Sequence, residues 1–227
     1  MYKHLDLARN SFKEVINIYG LKKIYLPYYL CDVMRHSCFE VNCKPEFYHV
    51  DDNFLPAEDF KQDAFILYPN YFGICDKNVK TLSKIYPNLI VDNAHSYFSK
   101  PEGRACFNSK RKFIPSDAIS DLWVEEEDDN RVLDNTITLN RSNIFNNIHT
   151  ILETSNLLTV DSCKSPFCYP YLAEDESEAD KLVNKLKNIE IYRYWNELPK
   201  SYNEYKFYSR LVPIPLLDQV LSAINVM

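Results

Sequence analysis

Leu89-Ile90-Val91-Asp92-Asn93-Ala94-His95 runs from three branched apolar residues into a carboxylate, an amide and an imidazole. The apolar run is strand-sized and reads as a buried strand that delivers Asp92 at its C-terminal end. Upstream, Ala64-Phe65-Ile66-Leu67-Tyr68 is a second buried strand, closed by Pro69-Asn70, and Asn78 to Ile85 between the two reads as a helix. Further upstream, Leu7, Phe12, Val15, Ile16 and Tyr19 recur at helical spacing, with Gly20 as a stop. Ile24-Tyr25-Leu26 before Pro27 is a short strand, Tyr29 to Met34 reads as a helix, and Phe47 to Val50 as a strand. Strands alternating with helices over short loops predict an α/β fold: a mostly parallel sheet with helices on both faces. In such sheets working residues gather at the carboxyl ends of the strands. Pro27-Tyr28-Tyr29, Pro69-Asn70-Tyr71 and Asp92 to His95 all fall there.

The second half has a different texture. Glu125 to Asp129 holds only acidic residues and predicts a solvated turn. Ile144, Ile148, Ile151 and Leu152 mark a helix, Tyr169 to Leu172 a strand start, Ser177 to Leu186 an amphipathic helix and Ile189 to Tyr192 a strand. This division predicts a large domain over 1–124, then a linker, a helix and a small C-terminal α+β lobe over 125–227.

Composition removes several function classes. The 227 residues carry a net charge of -6, which gives no electrostatic footprint for nucleic acid as the main partner. The three glycines, Gly20, Gly73 and Gly103, cannot form a GxGxxG or Walker A loop. The apolar runs fall short of the roughly 20 residues a membrane helix needs, and Met1 to Asp6 shows no signal-type apolar core. The expectation is a cytoplasmic protein. Its seven cysteines (Cys31, Cys38, Cys43, Cys75, Cys106, Cys163 and Cys168) contain no CxxC pair and read as reduced thiols, not as a metal site.

Two segments could carry chemistry. A carboxylate at the end of a buried strand is costly unless paired, so Asp92 either caps the following turn or meets a cation. In Ser109-Lys110-Arg111-Lys112-Phe113 the three cations read either as a solvated turn or as the setting of one lysine held against apolar neighbours. Such a lysine has a lowered pKa and becomes a nucleophile towards carbonyl groups.

A strand, Asp-x-Ala-His, a gap of about a dozen residues and Ser-x-[Arg/Lys]-Lys-Phe together resemble the DegT/DnrJ/EryC1/StrS group of sugar aminotransferases, which are pyridoxal phosphate (PLP) enzymes of fold type I. Leu7-Ala8-Arg9-Asn10-Ser11-Phe12 looks like that group's first phosphate loop and helix. Leu26-Pro27-Tyr28-Tyr29-Leu30-Cys31 is similar to its LPxYxC strand end, and Asn70-Tyr71-Phe72-Gly73 to its N/H-x-x-G turn. Tyr194-Trp195-Asn196-Glu197-Leu198-Pro199 resembles its W-x-x-L-P segment, and Val212-Pro213-Ile214-Pro215-Leu216 its terminal strand. The resemblance implies that Lys112 joins the cofactor, that Asp92 holds the pyridine nitrogen, and that His95 lies near the ring hydroxyl. It makes Ser109 and Arg9 candidates for the phosphate, and Tyr29 or Tyr71 candidates for lining the ring or the substrate channel. The implied reaction moves an amino group onto a keto sugar, normally nucleotide-linked, in polysaccharide biosynthesis. A homodimer is implied as well, because fold type I pockets normally take groups from two subunits.

The sequence also departs from the pattern. Ala8 stands where the group prefers glycine, Ser116 to Ile119 where it has a glycine-rich turn, and the segment from Leu122 to Arg141 is short. These departures leave a second reading open: a non-catalytic relative that binds a ligand or a partner protein.

Overall fold

The computed structural model describes residues 1–114, 119–125, 127–129, 131–160 and 165–224. Seven strands form one sheet: β1 (Tyr2–Leu5), β2 (Lys23–Pro27), β3 (Lys44–Tyr48), β4 (Ile66–Pro69), β5 (Leu89–Asn93), β6 (Ala105–Asn108) and β7 (Ser120–Val124). Their spatial order is β1-β7-β6-β5-β4-β2-β3. β2 to β6 pair in parallel, and β7 runs against its neighbours β6 and β1. The sheet is thus mostly parallel, as its alternating pattern predicts.

Side chains leave a strand on alternate faces, and the core follows that rule. Leu67, Ile90, Phe107 and Leu122 point to one face; Tyr68, Val91, Cys106 and Trp123 point to the other. The first face is covered by α1 (Ala8–Ile18) and α2 (Asp32–Glu40). α1 buries Ser11, Phe12, Val15 and Ile16, one helical stripe. It ends where Gly20 takes φ +60°, with Gly20 N–H bonded to Asn17 O and Leu21 N–H to Ile16 O, a Schellman closure that favours glycine.

The second face is covered by α3 (Asp76–Ile85), α4 (Asn135–Leu152) and the C-terminal elements β8 (Cys168–Leu172), α5 (Glu176–Lys185), α6 (Tyr205–Arg210), β9 (Leu211–Pro215) and α7 (Asp218–Ile224). β8 and β9 make a separate antiparallel pair. One apolar cluster joins Tyr68, Val91 and Trp123 of the sheet to Phe145 of α4 and to Tyr169 and Val212 of that pair.

Several expectations need correction. The helix expected over Tyr29 to Met34 begins later, at Asp32. Tyr28 N–H still pairs with Tyr48 O, and Tyr29 turns into the core; Asp32 then supplies the acid that suits a first helical turn. The strand expected over Ile189 to Tyr192 is irregular chain. Ile189 and Ile191 pack on the core and Tyr192 is exposed, but the segment joins neither sheet. β1, β6, β7, α6 and α7 were not anticipated. Glu125 and Glu127 to Asp129 are exposed, as the acidic run predicts; Glu126 lies outside the described residues, as do Ser116 to Ala118 and Cys163. No helix among the described residues is long and apolar enough to cross a membrane, and no metal-type cluster of His, Cys, Asp and Glu occurs among them.

Candidate active site

Strand parity builds the site. Leu67, Ile90 and Phe107 all face α1. Two residues further along, on the same face, come Pro69, Asp92 and Ser109. All three line one cavity beyond the strand ends. The N-terminal turn of α1 closes it with Leu7, Ala8 and Arg9, α2 adds Met34, and the turn after β6 adds Arg111 and Lys112. The cavity holds about 170 Å³. Among the described residues its wall carries three cations (Arg9, Arg111 and Lys112) against one carboxylate, Asp92.

Asp92 meets both readings offered for it. Its Oδ1 accepts the Ala94 N–H at 2.8 Å, capping the turn, and its carboxyl also lines the cavity. Burial raises its pKa to about 6; Lys112 and the Ala94 bond pull the other way. Lys112 sits in a single-turn 3₁₀ helix, Lys110–Lys112. By surface area it is exposed, at the wall of the cleft, yet the protein packed around it lowers its pKa by desolvation, with Asp92 opposing the fall and Arg111 adding to it. Its Nζ stands 5.6 Å from the centroid of Phe167. The basic turn is thus solvated and at the same time part of the cavity wall.

His95 is pressed between two aromatic rings. Phe167 lies parallel at 4.4 Å and 10°, and Trp195 at 5.7 Å and 11°. Desolvation, then the charge of Lys112, holds its pKa well below the ordinary value, so the imidazole is neutral. Three devices fix that sandwich. Gly73 (φ +76°) approaches so closely that a Cβ would lie 2.3 Å from His95 O and 3.0 Å from Pro166 Cα. Phe167 N–H bonds Phe72 O at 2.8 Å. Arg141 Nη2 donates to Pro166 O and Phe167 O at 2.6 and 2.8 Å.

Five of the residues singled out from sequence therefore meet around one cavity: Arg9, Asp92, His95, Ser109 and Lys112. Tyr29 and Tyr71 do not line it. Both are fully buried beneath it, stacked at 5.7 Å, with Tyr71 Oη donating to Tyr29 O. The sequence reading missed Trp195, Phe167, Arg111 and Arg141 as site residues. Trp195 carries a signal in the sequence itself, as the aromatic of the W-x-x-L-P-like segment. Phe167 and Arg141 carry no local signal, because only the chain's return path brings them to His95.

No family model matches the chain, and no curated protein matches it. Solved structures do. A DegT DnrJ EryC1 StrS aminotransferase from Brucella abortus superposes with a TM-score of 0.69 at 12% identity, covering 99% of this chain and 85% of that one. NtdA from Bacillus subtilis, solved with bound PMP, gives 0.73 at 10% identity over 99% and 72%. PseC from Helicobacter pylori, an aminotransferase involved in the biosynthesis of pseudoaminic acid, gives 0.68 at 12% over 99% and 85%. The fold is that of the PLP-dependent sugar aminotransferases. At these identities the likeness is one of architecture.

The residues present fit PLP. A buried carboxyl with a raised pKa calls for a cationic partner such as a pyridinium nitrogen. A lysine with a lowered pKa shares its cavity. Arg9, Ser109 and the N-terminal turn of α1 form a site of the kind that binds phosphate. Ala8 adds a methyl to that wall where the family pattern has glycine.

Proposed function

We propose that this chain binds PLP through Lys112 and transfers an amino group to a keto sugar, with or without a nucleotide handle, in polysaccharide biosynthesis. One observation carries the reading: Asp92 and Lys112, from separate turns, line the same cavity as Arg9 and Ser109. Bound there, the cofactor would supply an electron sink for chemistry at the carbon bearing the amino group. The chain's own residues supply the rest. Asp92 would hold a protonated ring nitrogen, and Arg9, Ser109 and the first turn of α1 would hold the phosphate. Lys112, its pKa lowered by desolvation, can lose its proton more readily than a solvated lysine and so act as nucleophile or base. Neutral His95, clamped by Phe167 and Trp195, can only donate or accept a hydrogen bond without adding charge. The two rings keep water from its faces.

The test is direct. Protein incubated with PLP should develop a visible absorption band. After borohydride reduction the adduct should map to Lys112 by peptide mass, and Lys112→Ala should lose both. Absence of an adduct at saturating PLP would leave the non-catalytic reading in its place. The proposal extends to a homodimer. Val132, Leu139 and Leu157, large apolar residues exposed at and around α4, support it. Light scattering at twice the chain mass is the expected result.

A further inference from the structure

α2 ends in a turn that brings two free thiols together. Asn42 takes φ +55°. Cys43 N–H bonds Cys38 O at 2.9 Å, and Asn42 N–H bonds Phe39 O at 3.2 Å. These are the two bonds of a Schellman closure, which sets the residues at its two ends side by side. At the end of α1 the same closure pairs Ile16 with Leu21, both apolar and buried. At the end of α2 both positions are cysteine. The 2.9 Å bond also limits the backbone. With standard bond lengths the Cα atoms of Cys38 and Cys43 lie no more than about 6.8 Å apart, within the span a disulfide bridges. Both side chains are buried in the apolar cluster on the α1–α2 face of the sheet, and their thiols share a hydrogen bond.

The two sulfurs are not equivalent. The hydrogen bond from Cys38 holds the Cys43 thiol below its usual pKa, against desolvation, and the charge of Lys22 adds to the fall. The same bond, together with burial, pushes Cys38 up. Cys43 is therefore the better thiolate, the form that attacks, and Cys38 stands beside it. Burial keeps large reagents from both. The cover is thin: one last helical turn, whose Phe39, Glu40 and Asn42 are exposed, and helix ends open more readily than helix middles. The cofactor chemistry proposed above uses neither thiol. α2 reaches the Lys112 cavity with Val33 and Met34, from its opposite end.

We propose that Cys38 and Cys43 form a redox modification site, which a hydroperoxide converts to a disulfide across the end of α2. The Cys43 thiolate attacks one peroxide oxygen. The O–O bond breaks, Cys43 becomes a sulfenic acid, and the departing hydroxide takes up the proton that Cys43 shed. The Cys38 sulfur then attacks the Cys43 sulfur; the S–S bond forms and the S–O bond breaks. The Cys38 proton and the second hydroxide leave as water. Two thiols lose two electrons, and one hydrogen peroxide is reduced to two waters.

The test uses the full chain, reduced with dithiothreitol, desalted and exposed under native conditions to about a tenfold excess of hydrogen peroxide. Iodoacetamide is then added in urea, and trypsin follows. His36 to Lys61 is one tryptic peptide, because Pro45 protects Lys44, and it holds Cys38 and Cys43 and no other cysteine. That peptide should emerge unalkylated and lighter than its reduced form by two hydrogens, and dithiothreitol should restore both alkylation sites. In Cys38→Ser the Cys43 sulfenic acid should persist and be trapped by dimedone; in Cys43→Ser, Cys38 should stay a thiol. The oxidised parent should unfold at a urea midpoint about 0.5–1 M above the reduced one, because the closed turn restrains the unfolded chain. Full alkylation of both cysteines after peroxide would overturn the inference. So would a sulfinic acid in place of the bridge, a bridge from either cysteine to Cys31, or a midpoint that does not rise. The parent chain carries the test without the variants, and none of these readouts involves PLP.

Discussion

Asp92 is a carboxylate that burial makes reluctant to ionise. Its folded pKa, about 6, lies above the ordinary 3.8, so the folded chain holds the proton more tightly than the unfolded one. That contribution to stability is fully present below pH 3.8 and is lost as pH rises through 6. The gap corresponds to roughly 3 kcal/mol. Asp92→Asn should therefore stabilise the cofactor-free protein by up to about that amount above pH 6, and by little near pH 4, in urea unfolding at the two pH values. PLP should reverse the order, because a pyridinium partner rewards the ionised carboxyl and not the amide. Asp92 and Lys112 were legible in the sequence because each breaks a local rule: a charge ends a buried strand, and a lysine sits among phenylalanines. Phe167 and Arg141 break none. An aromatic and an arginine in the C-terminal half look ordinary until the chain is folded.

The segment joining β4 to α3 works as a spacer of fixed thickness. Asn70 accepts from Cys75 N and donates to Asp76 and Asn93, and Gly73 lets the backbone of His95 and Pro166 come within contact. Gly73→Ala places a methyl against two backbones at positive φ. It should cost about 2–4 kcal/mol in chemical denaturation and weaken PLP binding by displacing His95. An ordinary end effect sets the scale. Asp134 caps α4 by accepting from Thr136 N and Ile137 N, and Asp134→Ala should cost about 1 kcal/mol with PLP binding unchanged. The elements that were readable, α1, β4, α3, β5 and α4, have long periodic stripes or closed apolar runs. Those missed are short or depend on partners. β1 is a four-residue YKHL strand that exists by pairing with β7. The Ile189–Tyr192 alternation has no strand beside it.

The sequence reading places a boundary near residue 124, where the texture of the chain changes. The apolar cluster crosses that point, from Tyr68 and Trp123 to Phe145, Tyr169 and Val212. Glu204 reaches back across the chain to His49 and Val50. We predict that both halves unfold together. Trp123→Phe and Trp195→Phe each leave one tryptophan as reporter, and their urea midpoints should track far-UV circular dichroism of the same variant. A Trp195 signal lost at lower urea than the circular dichroism would instead give the C-terminal half independent stability.

The outermost strands add a constraint on how copies of this chain can meet. β3 reads Lys-Pro-Glu-Phe-Tyr, and its Pro45 has no N–H to offer a neighbour. At the opposite border β1 carries Lys3 and His4. Ionic groups and proline on border strands oppose ladder growth from one molecule to the next. Self-association must then proceed through side-chain surfaces such as that of α4, and a concentrated solution should resist the cross-β stacking to which an open sheet border is otherwise prone.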